Sequence, residues 1–243
     1  MARSNPALRD AVFRNALAGV SAERMTVPGT VFKAIVLIAL TTFSAGFVWS
    51  AAATKPGITA AAILVGLLGG LVAAFVTILR PQSAPYTAPL YAVFEGLALG
   101  AISALYATVY HGITLQAVGL TCMVALAMLL AYQTGLIRAT DTFRRVVISA
   151  TLGIALFYLL TIVLQLFHVS MPFLTDSSPL GIVLSLVFTA VAALNLVLDF
   201  DLIERGARGG APKYMEWYGG FALLLTLVWL YLEILRLLGR TRN

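Results

Sequence analysis

Charge is the scarcest commodity in this chain. Only 11% of its 243 residues are charged, and only ten are Asp or Glu, where a soluble domain carries about 25% charged residues. With 60% hydrophobic residues and a mean hydropathy of +0.96, the sequence excludes a water-soluble domain and predicts a polytopic membrane protein built as one bundle. Cysteine is nearly absent. The single Cys122 lies in an apolar run, so no intrachain disulfide can form. The two histidines, His111 and His168, fall in predicted outer loops with no third ligand, which argues against a metal site. No H-E-x-x-H, G-x-S-x-G, Cys pair or P-loop occurs, so hydrolase or metalloprotease activity is not expected and the chain is read as a non-enzyme. The net charge of +6 does not point to nucleic acid, because Arg and Lys sit in short loops rather than on one face. Residues 1–31 form a polar segment without the apolar core of a signal peptide. The first span is therefore expected to act as an uncleaved insertion signal.

What the chain has is long apolar runs. Seven stretches, near 32–53, 58–79, 88–109, 114–135, 146–167, 179–199 and 217–238, meet the ~20 residues needed to cross a hydrocarbon core as a helix. Loop or open-sheet backbone would leave amides unsatisfied in lipid, so an all-α seven-helix transmembrane bundle over 32–243 is predicted. The breaks carry turn chemistry: Lys55-Pro56-Gly57, Arg80 through Ser83, His111-Gly112, Arg144-Arg145, Asp176 through Pro179, and Gly206 through Pro212. Arg3, Arg9, Arg14, Arg24, Arg80, Arg138, Arg144, Arg145, Arg205, Arg208 and Lys213 all fall on one side, against Lys55 on the other. That asymmetry predicts a cytoplasmic N-terminus. Arg236, Arg240 and Arg242 then lie on the outer side, which leaves a re-entrant last segment as the alternative to a seventh span. Gly66-x-x-x-Gly70 and Gly96-x-x-x-Gly100 place small residues on one helix face for close packing.

Acids within apolar spans are expensive and commonly mark an ion or proton path. Asp199 ends the predicted sixth span, with Asn195 one turn above it. The negative end of the helix dipole meets it there, making it the leading candidate for a proton-sensing group, with an ordinary interfacial carboxylate as the alternative. Asp201 points to roughly the opposite side and can pair with Arg205, as Glu204 can with Arg208. Glu95, in Phe94-Glu95-Gly96, roughly matches the inner end of span six in depth. Arg80 is a candidate counter-ion for this cluster, or a plain membrane-edge anchor. Glu233 lies about 25 Å from Glu216 along a straight helix, near the outer face, with Arg236 three residues on. Glu216 opens the last segment beside Trp217 and Tyr218 and could reach Asp199 across the loop.

Val197-Leu198-Asp199-Phe200-Asp201-Leu202-Ile203-Glu204, a basic Gly-rich loop, and Leu230-Tyr231-Leu232-Glu233 resemble the Bax inhibitor-1 (TMBIM/lifeguard) family over residues 30–240, and Phe94-Glu95-Gly96 resembles its third-span acidic signature. The polar start resembles the extension of a bacterial subgroup. The resemblance implies a pH-sensitive calcium leak in which two acids share a proton and close the pore while a basic residue latches it. It implies no bound cofactor, with calcium as the transported ion. Carried over, Asp199 is the first acid and Arg80 a candidate latch. The second acid is Glu233 by motif, although its spacing from Asp199 exceeds the family's usual connector, which leaves Glu95 or Glu216 as the alternative partner.

Two other functions stay open. One is a regulator of stress survival or of a membrane protease, acting on a membrane-protein partner through the basic N-terminus and small-residue faces. The other is a proton-coupled transporter using the same acids. Lipid, protons and calcium ions are the other expected partners, and the short loops suggest a bacterial plasma membrane.

Overall fold

The computed structural model describes residues 24–55, 57–167 and 178–242. Arg3, Arg9, Arg14, Pro56, His168, Asp176 and Ser177 lie outside the described residues. Seven helices are long and apolar enough to cross a membrane: α1 (Val27–Thr54), α2 (Ile58–Leu79), α3 (Ala84–Val109, after a 3-10 turn at Pro81–Ser83), α4 (Ile113–Gln133), α5 (Asp141–Leu166), α6 (Pro179–Arg208) and α7 (Met215–Thr241). The seven-helix expectation holds. α7 is one continuous helix of 27 residues, about 40 Å long, so it spans rather than re-enters.

The helix starts follow local chemistry. Thr26 caps α1 by accepting from the Gly29 amide at 3.0 Å, Thr140 caps α5 from Phe143 at 3.2 Å, and Ser178 caps α6 from Gly181 at 3.2 Å. Pro179 follows directly as the first helical residue, where a missing N–H costs nothing. Three boundaries depart from the sequence expectation. α1 begins at Val27, inside the segment read as polar, because Thr26 supplies a cap upstream of the apolar run. Arg144 and Arg145 lie within the first turns of α5 rather than in a loop, because the cap is Thr140. α6 runs nine residues past Asp199, to Arg208, as its last turns exchange apolar side chains for ion pairs.

Alanines recur in the interior, and many large apolar side chains face outward. Ala34, Ala73, Ala88, Ala92, Ala101, Ala117 and Ala192 are buried, whereas Phe43, Leu64, Leu71, Phe75, Leu115 and Leu156 are exposed. Lipid tails are as apolar as leucine, so close backbone approach, rather than burial of bulk, drives such packing. A methyl group added at Gly66 would lie 2.6 Å from the Phe94 carbonyl oxygen, and one added at Gly100 would lie 2.8 Å from Ala45 Cα. The two Gly-x-x-x-Gly faces therefore join α2 to α3 and α3 to α1, and are used up inside the bundle.

α7 is the hub, packed against α1, α3, α4 and α6, while α5 packs on α6. The end where α1 starts, here the near face, is tied by the Met25 amide to the Ala211 carbonyl at 2.7 Å. At the far face, Arg242 donates to the His111 carbonyl at 2.9 Å and to Gln116 at 2.7 Å.

Candidate functional site

The acids sort into layers along α7, and most are enclosed by local partners. Glu216, at the near face, is 1% exposed. Its Oε1 accepts from the Thr26 amide at 3.0 Å, from the Thr26 hydroxyl at 2.8 Å and from Lys213 at 3.3 Å. This carboxylate staples the start of α1 to the start of α7.

Glu233, two-thirds of the way along α7, is also 1% exposed. It accepts from the Tyr158 hydroxyl at 2.6 Å, the Trp229 indole at 3.1 Å and Arg236 at 2.9 Å. Arg236 also donates to the Tyr158 hydroxyl and stacks 5.1 Å from its ring centroid. The sequence-based pairing with Arg236 is present, joined by a tyrosine from α5.

Asp201 is held at 3.0 Å by Arg144 of α5 and at 2.8 Å by Arg205 of its own helix. Glu204 accepts from the Tyr132 hydroxyl and pairs with Arg208 at 2.5 Å. Both i,i+4 pairs read from the sequence are formed, and they close the near-face end of α6.

Asp199 is different. Its Oδ2 is buried and has no hydrogen-bond partner. The polar side chain facing it is Thr226 of α7. Thr226 and Glu233 are seven residues apart, about 10 Å along the helix, so the structure does not bring Glu233 to Asp199. Glu216, ten residues before Thr226, is about 15 Å away along the axis by the same rise. The dipole argument also changes, because Asp199 stands more than two turns inside α6 rather than at its end.

Glu95 shares the level of Asp199. α3 and α7 run in the same direction, with the Tyr91 ring 5.0 Å from Phe221 and the Ser103 hydroxyl 2.6 Å from that of Tyr231. Interpolation between these two contacts sets Glu95 about level with Leu224, half a turn short of Thr226. Tyr91 lies against its carboxyl, and a methyl at Gly70 would come within 3.2 Å of Oε2. Arg80 is exposed and makes no ion pair to either acid. Asn195, one turn above Asp199, donates instead to Thr151 of α5 at 2.8 Å.

Beside the Asp199 layer lies a groove of about 440 Å³ lined by α1, α3, α4, α6 and α7 and open between α1 and α4, where Ile38, Val118 and Leu126 are exposed. Leu196 and Phe200, which flank Asp199, line it together with Leu223 and Leu227, which flank Thr226. The acid thus backs onto an apolar wall. Toward the far face the space continues past Thr41, Thr42 and Tyr231 to Ser103, Thr114 and Trp49. Among the described residues, no three His, Cys, Asp or Glu cluster into a metal-holding set.

Sequence reasoning missed Thr226, Tyr158 and Arg240. A lone threonine in Leu225-Thr226-Leu227 gives no signal. The spacing of Thr226, Trp229, Glu233, Arg236 and Arg240 does, since steps of three and four put them on one stripe of a helix.

No match was found among curated proteins or among solved structures. A family model described as Bax inhibitor 1 like matches residues 5–243, nearly the full chain. This multi-pass membrane protein therefore belongs to the Bax inhibitor 1 like family.

Proposed function

We propose that the protein is a proton-regulated cation leak, with calcium as the favoured ion and Asp199 as the proton-binding group. The single observation that carries this reading is the orphaned Asp199 Oδ2 deep in the bundle. A buried carboxylate oxygen with no donor is costly as an anion. The neutral acid supplies its own O–H and suits an apolar wall. The described arrangement is then the closed, protonated form. Loss of the proton creates a charge that must find water or a cation, and the groove flanked by Leu196 and Phe200 is where it would be reached. Glu95, at the same depth, is the second oxygen donor that such a path would meet, suited to a hard cation.

Glu216, Glu233 and Asp201 are assigned to holding the bundle together, since each already has matched donors. A shared-proton pair of Asp199 with Glu233 is replaced here by Asp199 with Thr226. Arg80 makes no ion pair with either acid in the described arrangement, so as a latch it would act in another conformation. The partner-binding regulator is the weaker reading, because both small-residue faces are filled internally. We further infer an N-terminus in the cytoplasm of a bacterial plasma membrane, from the Arg-rich near face and the short loops.

The test is calcium influx into dye-loaded liposomes. Wild type is expected to conduct more as pH rises from mildly acid to mildly alkaline. Asp199→Asn, a permanent neutral mimic, is expected to give low flux with a flat pH profile, while Glu95→Gln keeps the pH dependence at reduced rate. No flux above empty liposomes at any pH, from folded protein, would overturn the proposal.

A further inference from the structure

The groove beside Asp199 has two regular edges. On α1 it is bordered by Ile38, Thr42, Gly46 and Trp49, and on α4 by Val118, Cys122, Leu126 and Leu129. Steps of three and four put each set on one stripe of its helix. α1 and α4 each pack against α7 but share no packed face with each other, so the space between them opens sideways within the membrane. The α1 edge, from Ile38 to Trp49, is about 16 Å long at the helical rise. The α4 edge, from Thr114 to Leu129, is about 22 Å by the same rise. One leaflet is about 15 Å deep, half of a ~30 Å hydrocarbon core, so the groove has the length of one acyl chain.

The lining selects the occupant. Thr41 and Thr42 donate to the carbonyls of Leu37 and Ile38 at 3.0 and 2.8 Å, Thr121 to Ala117 at 2.7 Å, and Thr114 to Ser103 at 3.4 Å. The Ser103 and Tyr231 hydroxyls bond each other at 2.6 Å. These hydroxyl donors are spent on the protein itself. A water held there would need about two to four polar partners, and a peptide segment would need partners for its amides. Hydrocarbon needs neither. The two ends also differ. At the near end the Tyr132 ring packs on Phe200, centroids 6.0 Å apart, and joins α4 to α6. At the far end stands Trp49, 40% exposed, about 33 Å along α1 from Val27. Its indole N–H donates to no acceptor among the described residues. Tryptophan at that depth belongs to the interfacial belt, where the ester carbonyls of lipids can accept from it. A chain can therefore enter from the far leaflet and run inward as far as Phe200.

We propose that this groove is a binding site for one phospholipid of the far leaflet, with an acyl chain lying between α1 and α4 and the ester region at Trp49. The seated chain keeps the wall beside Asp199 dry in the closed form. On the leak reading it must withdraw before an ion reaches that carboxylate. Lipid binding is measured without flux, so the lipid site and the leak fail separately.

The experiment uses the full chain in neutral detergent, titrated in mixed micelles with a phosphatidylcholine that carries a photoactivatable diazirine near the end of one acyl chain. Crosslinks are mapped by mass spectrometry. Labelling of the floor residues Phe200, Leu223 and Leu227 is expected to saturate at one lipid per protein, while labelling of the outward-facing Phe43 and Leu115 rises without saturating. Gly46→Leu puts a side chain into the groove at a position where an added Cβ meets nothing within 4 Å, so the fold is kept. It is expected to weaken the apparent affinity of floor labelling about tenfold or more, because the side chain stands where the acyl chain would lie. Gly119→Leu, equally open but off the groove, is expected to change nothing. Val118→Phe fills the opposite edge and serves if Gly46→Leu does not fold. Floor labelling that is absent or unsaturable, or that is the same in Gly46→Leu and Gly119→Leu, would overturn the proposal. So would a second copy of the chain crosslinked into the groove in place of lipid.

Discussion

A carboxylate inside a bundle survives by finding donors, and these acids divide on that criterion. Glu216 collects two donors from Thr26 and an ammonium from Lys213. Its contribution is therefore structural, and replacing it tests that directly. Glu216→Ala leaves the Thr26 donors without an acceptor and is expected to destabilise the protein by about 1–3 kcal/mol. Glu216→Gln, which keeps an acceptor oxygen, costs less. Thermal unfolding in detergent should rank them in that order, and equal midpoints would mean that the staple carries no energy. At this scale the sequence singled out the acids but not their company. Asp199 stood out because acids are rare in this chain, whereas its partner Thr226 could not be read, since the pairing spans two helices and a hydroxyl in an apolar run is unremarkable. The reason first given for Asp199, its place at a helix end, does not hold, because α6 continues to Arg208.

Helix faces are decided by spacing, and here spacing was legible. Gly96 and Gly100 lie one turn apart and meet the backbone of α1, where an added methyl at Gly96 would approach Ser44 Cβ to 2.7 Å. Gly100→Leu is expected to abolish the folded bundle, because the obstacle is helix backbone rather than a movable side chain. Gly153 on α5 meets nothing within 4 Å, so Gly153→Ala should be neutral or stabilising by about 0.5–1 kcal/mol. Size-exclusion profiles and unfolding midpoints of the two variants check the contrast. Folding of Gly100→Leu at wild-type stability would refute the close α1–α3 approach. α5 shows what spacing leaves open. Arg144, Thr151 and Tyr158 repeat every seven residues and meet Asp201, Asn195 and Glu233 in turn. The stripe is visible in the sequence; which helices it addresses is not.

For the whole molecule, seven spans require the two ends to lie on opposite sides of the membrane. In a Cys122→Ser background, an impermeant maleimide added to intact cells is expected to label Lys55→Cys and to spare Gln82→Cys until the membrane is permeabilised. Labelling of both from outside would contradict the topology, and the reverse pattern would invert the orientation. The excess of Arg on one side set this expectation, and the three tail arginines that opposed it are tied down at the far face by Glu233, Ser185, His111 and Gln116. The sequence by itself determined the membrane location, the number of helices and the rarity of the acids, because these follow from hydropathy and from the cost of unsatisfied backbone in lipid. Only the tertiary structure decided which of the described acids collect several donors and which carboxylate oxygen is left without one. That depends on donors contributed by helices distant in sequence: Thr26 for Glu216, Tyr158 for Glu233, Arg144 for Asp201, and for the Asp199 Oδ2 none.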